Sequence, residues 1–162
     1  MIDIKVKGLA ELKKTLATLP QAMQNTAIKG MVAAGASVIR QEAILRAPAY
    51  SEQVQAGHPP AGTLKNAIYQ ARLIADCTPS HEVWIVNARK GKKFQAHKKG
   101  GQTVNADAFY ATWVEYGTVK MSARPFMRPA FEAKKSAAVD AMGTYLAFWL
   151  PQAVEKAKKG SS

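Results

Sequence analysis

The chain has 162 residues, of which 48% are hydrophobic and 21% charged, the balance of a single folded domain large enough to bury a core. Lysine and arginine number 23 against 11 acids, a formal charge of +12, so the sequence points to nucleic acid, an anionic surface or an acidic protein as partner, or else to a solubilising surface. The single cysteine, Cys77, excludes an internal disulfide and fits a reducing compartment; with no apolar signal core and no run near the roughly 18 residues of a span, a chain made and used in solution is expected, with no membrane partner.

A short apolar alternation at Ile2, Ile4 and Val6 precedes Gly8. Leu9, Leu12, Leu16 and Leu19 then follow at helical spacing, and Pro20 closes that segment. A longer helix is predicted over 21–46, with Ile28, Val32, Gly35, Ile39 and Ala43 as its stripe and an end before Ala47-Pro48. The small run Ala33-Ala34-Gly35-Ala36 lets another backbone approach closely, in the subunit's own core before any interface. Residues 47–63 are turn chemistry almost throughout, and a flexible loop is expected over 48–62.

Two strands are predicted next, Leu64 to Ala75 and His81 to Asn87, joined by a hairpin connection at 76–80. From Arg89 to Lys99 there are six basic residues and no acid: Arg89, Lys90, Lys92, Lys93, Lys98 and Lys99. With Gly91, Gly100 and Gly101 around them, these read as an exposed, flexible loop over 89–107. A third strand is predicted over Phe109 to Tyr116, ahead of Gly117. A last helix is predicted from about Pro129 to Leu150, with Phe131, Ala138, Met142, Tyr145 and Trp149 as its stripe and Pro151 as its limit, a further turn before the polar tail being left open. A polar tail covers 155–162. The expected architecture is one α+β domain over 1–162, an antiparallel sheet of about three to four strands packed against the long helix and the C-terminal helix.

Chemistry-bearing patterns are sparse. His58, His81 and His97 fall on loops or a strand start, without metal-ligand spacing or a cysteine partner. Cys77 lies in a predicted turn with no context that marks a nucleophile. No nucleophile elbow, phosphate-binding loop or dinucleotide fingerprint occurs. Glu115 is the one acid inside the aromatic run, and a structural hydrogen-bond acceptor or ion-pair partner outweighs a catalytic group there. No catalytic residue, metal or cofactor is assigned, and a non-enzymatic protein is expected. The basic loop carries only Phe94 as an aromatic, which argues against sequence-specific readout. A solvated loop, a contact to the DNA backbone and a protein-docking arm all remain open.

The stretch "YATWVEYGTVKMSARPFMRPAFEA" resembles the signature of a bacteriophage neck or tail-completion family of long-tailed, lambda-like phages. The matching residues are Tyr110, Ala111, Glu115, Tyr116, Gly117, Thr118, Pro125, Phe126, Pro129 and Ala130. "KGLAELKKTLATLP" and "APAYS…PPAGTLKNAI" are similar to the family's earlier segments, so the resemblance spans about 4–150. The long 48–62 loop and the lysine-rich 89–101 insertion depart from the family pattern. The resemblance implies a structural virion subunit at the neck, assembled in the host bacterial cytoplasm. It also implies a cyclic homo-oligomer, six-fold favoured, whose partners are the head connector, tail terminator and tail tube. No catalytic residues come with it. The corner itself follows from the residues: Gly117 permits a sharp turn, while Pro125 and Pro129 restrict the chain around Phe126, Met127 and Arg128. Phe126 is then an apolar anchor, in its own core or in a neighbour's pocket. Non-specific nucleic-acid binding is the second reading of the whole chain.

Overall fold

The computed structural model of the chain describes residues 17, 21–49, 59–78 and 81–159. The predicted Ile2–Val6 alternation, the Leu9–Leu19 stripe, most of the 48–62 loop, His58 and residues 160–162 lie outside the described residues. Helix α1 spans Gln21–Arg46, as the sequence predicts. Its alanine-rich run sustains the helix, and Pro48 disfavours helical backbone at the residue before it.

The C-terminal helix, α4, spans Met127–Lys159 and lies antiparallel to α1. Tyr145 covers Gly30, Met142 covers Gly35, and the Lys134 ammonium reaches the Glu42 carboxylate at 3.7 Å. A Cβ on Gly35 would stand 3.3 Å from the backbone oxygen of Ala138. The small-residue run of α1 therefore serves packing within the chain. The expected stop at Leu150 is corrected, since α4 continues through Pro151 for two further turns. Pro151 faces solvent, so the amide bond it lacks is lost on the wet side, while Ala153 beyond it is buried.

The sequence between the helices divides more finely than predicted. The run expected as one strand, Leu64 to Ala75, starts as a short helix α2, Thr63–Ala67, and becomes strand β1, Ile68–Arg72. It ends in a 3₁₀ turn at Ile74–Asp76. Strand β1 pairs antiparallel with β2, Trp84–Ala88, in a register that sets Ile68 opposite Ala88 and Arg72 opposite Trp84. This ribbon packs on α1, where Gln70 Nε2 donates to the Ala33 carbonyl at 3.3 Å and Arg40 Nε to that of Ile68 at 3.4 Å.

The basic segment, expected to be irregular, folds into its own hairpin. Strands β3, His97–Lys99, and β4, Gln102–Val104, pair antiparallel. Gly100 and Gly101 join them at φ 56° and 80°, the left-handed pair that a two-residue hairpin turn needs. The α+β class stands, with the four strands arranged as two ribbons of two.

A further correction concerns Phe109 to Tyr116. Ala111–Tyr116 is a helix, α3. Ala111, Val114 and Glu115 turn inward while Phe109, Trp113 and Tyr116 face out, a 3.6-residue period that the run's aromatic strand propensity conceals. The core is built largely from alanines, Ala43, Ala67 and Ala130 of α1, α2 and α4 and Ala47, Ala106 and Ala108 of the connecting segments, around Leu64, Ile68, Val114 and Phe126. Phe126, 1% exposed, is the largest fully buried side chain among the described residues. Its place as an anchor is thus the chain's own core.

Candidate functional site

The segment bearing the family resemblance is a joint between α3 and α4. Helix α3 closes when the Gly117 N–H donates to the Trp113 carbonyl at 2.8 Å, with Gly117 at φ 77° and ψ 179°. A Cβ there would meet the Met121 oxygen and the Ala123 nitrogen at 2.9 Å each. Glycine is demanded both by conformation and by space. Thr118 and Met121 then exchange backbone hydrogen bonds of 2.8 and 3.2 Å, and the Thr118 hydroxyl accepts the Lys120 N–H at 3.2 Å. The Arg124 N–H returns to the Val114 carbonyl at 2.8 Å, so the loop is sewn back onto α3 before Pro125 is reached.

Glu115 completes the joint. Its Oε2 accepts the N–H groups of Phe126 and Met127 at 2.7 and 3.0 Å, and its Oε1 accepts that of Arg128 at 3.0 Å. Pro129 has no N–H to satisfy, and the Ala130 N–H reaches the Phe126 carbonyl at 3.2 Å. Every donor of the first turn of α4 is thereby accounted for. A negative charge also stands at the positive end of the helix dipole. Burial pushes the Glu115 carboxyl up, but the backbone N–H bonds and the nearby Arg128 charge outweigh it and hold it below the usual carboxylate range. This carboxylate is an ionised structural acceptor with both oxygens engaged.

Tyr110 sits at the start of α3, its carbonyl accepting the Val114 N–H at 3.1 Å and its ring meeting Phe109 edge-on at 5.5 Å. The exposed Arg128 guanidinium lies 6.0 Å from the centre of the Tyr116 ring. The structure therefore gathers Tyr110, Glu115, Tyr116, Gly117, Thr118, Pro125, Phe126, Arg128 and Pro129 into one joint. Beside it, α1, β2, α3 and α4 enclose an open, largely apolar groove of about 640 Å³.

The basic residues form a separate surface. Lys90, Lys92, Lys93, Lys98 and Lys99 are exposed. Arg89 differs from them: it is half-buried, its guanidinium 4.7 Å from the Tyr69 ring centre and 5.9 Å from that of Phe94. The hairpin is anchored by the buried Asp107, which accepts the Gly91 N–H at 2.7 Å and the Gln95 side-chain amide at 3.2 Å. Lys99 Nζ reaches Asn66 Oδ1 at 2.9 Å. The lysines are thus displayed from a held ribbon.

One cluster escapes sequence reasoning. Arg72 grips Glu82 through two parallel bonds of 2.5 and 2.8 Å, and Trp84 Nε1 donates to the same carboxylate at 2.9 Å. The Arg72 hydrogen bond, against the opposing effect of burial and with help from Trp84, lowers the Glu82 carboxyl to about 2. Arg72 and Glu82 lie ten residues apart, and only the β1–β2 register brings them together. The Cys77 thiol donates to the Leu73 carbonyl at 3.1 Å and its sulfur accepts the Val83 N–H at 3.4 Å, which ties down the same hairpin end. His81 pairs with Thr78 through the backbone, and His97 belongs to β3. Among the described residues, no group of three His, Cys, Asp or Glu could hold a metal ion, and no helix is long and apolar enough to cross a membrane. Set against known families, curated proteins and solved structures, the chain matches none.

Proposed function

We propose that this chain is a structural, non-enzymatic subunit of a tailed-phage virion, a neck or tail-completion protein that joins the head connector to the tail tube as part of a ring. The observation that carries this reading is the α3–α4 joint. The residues that resemble the family signature make a closed, internally satisfied corner, with Glu115 engaged on both oxygens. Such a corner fixes the direction of α4 relative to α3, and a fixed angle is what a subunit repeated around an axis requires. Assembly would occur in the host bacterial cytoplasm and the product would reside in the virion, against the connector, tail terminator and tail tube.

The test is electron microscopy of virions carrying a label on this chain, with complementation of a phage that lacks it. Label at the head–tail joint and restored tails are the expected result; label elsewhere, or none, overturns the reading. Alanine at His58, His81, His97 or Cys77, made singly, should leave tail joining intact wherever the fold survives. Loss of assembly in a folded variant through a lost hydrolytic activity would also overturn it.

A second reading, non-specific contact with DNA, is favoured by one observation. The β3–β4 hairpin and its approach display five exposed lysines, the kind of surface that gathers around phosphates. Duplex affinity measured across a salt series tests it.

A further inference from the structure

The β1–β2 ribbon has two outer edges, and the fold treats them differently. The Arg89 N–H donates to the Ala67 carbonyl at 3.0 Å and the Leu73 N–H to that of Val83 at 2.9 Å. Residue pairs along an antiparallel ladder alternate between bonded and non-bonded, so the backbone groups of Ile85 and Asn87 face β1 while those of Trp84, Val86 and Ala88 face away from it. On β1 the outward groups are those of Ile68, Gln70 and Arg72, and Arg40 of α1 closes part of that edge by donating to the Ile68 carbonyl at 3.4 Å. On β2 the Ala88 N–H donates to Asn87 Oδ1 at 2.8 Å. Beyond that bond, among the described residues, β1 is the only strand beside β2, and its outer edge at Trp84 and Val86 is bare.

Open edges are normally blunted by lysine, proline or a bulge. The sequence Trp-Ile-Val-Asn-Ala of β2 has neither lysine nor proline, and its register with β1 runs unbroken from Ala88 to Trp84. Strand β3, by contrast, carries Lys98 and Lys99. The bare edge opens onto the groove, which Trp84, Val86 and Ala88 line. Helix α1, on which the ribbon packs, supplies Val32, Ala36 and Ile39 to the same groove. Among the described residues, two charged side chains line it, Glu115 and Arg128. Glu115 is engaged on both oxygens by backbone N–H groups. Arg128 is exposed and belongs to no ion pair among the described residues, so the groove offers one cation without a counter-charge.

We infer that the outer edge of β2 takes an extended, acidic segment of a partner protein, which joins the ribbon as a third strand and fills the groove beside it. Main-chain bonds to Trp84 and Val86 supply the pairing, as in other cases of strand addition. Side chains of the added strand alternate between the two faces, so every second one is apolar and turns toward α1, and a carboxylate on the segment meets Arg128. The five residues of β2 pair with a strand about 16 Å long. A nucleic-acid strand fits this surface less well, because phosphate tracking needs a row of cations. A second copy of this chain would bring a formal charge of +12 toward a cation rather than an acid. The contact goes beyond the neck reading and does not depend on it.

A random library of peptides about seven residues long, selected on the immobilised full chain, tests this. Selected peptides should alternate apolar with polar residues and carry Asp or Glu. In the tightest of them, N-methylation of every second amide should weaken binding roughly tenfold or more in one register and leave it unchanged in the other, since only one set of amides faces β2. Arg128→Gln should weaken the acidic peptide roughly fivefold and leave its Asn or Gln analogue unchanged. In amide exchange, the Trp84 and Val86 N–H groups should gain protection when peptide is added. No enrichment of alternating acidic peptides, equal loss from both methylation registers, or an acidic peptide indifferent to Arg128→Gln would each overturn the contact. Trp84 and Val86 amides already protected in the free chain would overturn it too, by placing another part of this chain or a second copy on the edge. A chain that binds these peptides yet never completes a tail would leave the contact standing and overturn the neck role instead.

Discussion

Glu115 accepts the backbone N–H of Phe126 at 2.7 Å across eleven residues of chain, so the last turn of one helix caps the first turn of another. The same carboxylate also takes the N–H groups of Met127 and Arg128. The first turn of α4 is therefore tied to α3 by a single side chain, while the rest of the helix is held by its packing along α1.

Removing that side chain should be costly. Glu115→Ala leaves three amide donors without their acceptor, and a loss of about 2–3 kcal/mol in urea unfolding is expected. Glu115→Gln keeps one carbonyl oxygen but turns an amide group toward the remaining donors, so it should fall between the two. An alanine variant as stable as the native chain would remove the capping role.

Acid should expose the same interaction. The folded carboxyls of Glu115 and Glu82 both lie below their ordinary value of 4.5, Glu82 at about 2. Groups depressed in this way contribute stability that is complete above the unfolded value and is lost as pH falls toward the folded one. Urea midpoints should hold near neutral pH and then decline from about 4.5 downward. Glu82→Gln should flatten part of that decline, and an unchanged acid limb would contradict the Arg72–Glu82 assignment.

Gly117 admits no side chain. At φ 77° and ψ 179°, with two backbone atoms 2.9 Å from any Cβ, Gly117→Ala combines strain with a clash against main chain. A destabilisation of about 1–3 kcal/mol is expected from the conformation alone. Gly62, in the milder αL region at φ 80° and ψ −4° and in open space, supplies a comparison in which Ala meets neither the clash nor the glycine-only conformation. A loss at Gly117 no larger than at Gly62 would show that neither feature of Gly117 matters.

Phe126 belongs to the core, so Phe126→Ala should cost about 3–5 kcal/mol and do so in the isolated chain. Thermal melts paired with phage complementation read the two effects separately. A normal melt with failed assembly would assign Phe126 to a neighbour's pocket, against its 1% exposure.

The exposed lysines should matter little to folding. Changing Lys90, Lys92, Lys93, Lys98 and Lys99 together to Gln should shift stability by only about 0.5 kcal/mol per position at most. If the hairpin meets duplex DNA, the slope of log affinity against log salt should fall by about 0.9 for each phosphate that the substituted chain no longer neutralises. If neither form binds duplex at low salt, the DNA reading fails, and copurification with neck proteins then separates a docking arm from plain solvated surface.

Where periodicity ran long, the sequence sufficed. Helix α1 was legible to its ends because its stripe runs from Ile28 to Ala43 and Pro20 and Pro48 bound the 26 residues around it. Gly117 was legible as a turn, and the pair Pro125 and Pro129 as a constrained entry to the last helix. Helix α3 was not, because six residues give too little period to outweigh the strand propensity of Trp, Val and Tyr. Pro151 was misleading for a related reason: the penalty it carries is local, and the burial of Ala153 beyond it is not.

What only the tertiary structure decided are the partnerships between charged groups and distant acceptors or donors. Glu115 with the start of α4, Arg72 with Glu82, and Asp107 with Gly91 each join residues ten to sixteen positions apart. Local propensity depends on neighbours within a turn or a pleat, whereas these bonds require two elements to be packed before they can form. The amino-acid order by itself determined that a basic α+β domain carries a rigid glycine–proline corner. Packing determined that Glu115 holds that corner closed, that Phe126 fills its own core, and that three other aromatics are left facing outward.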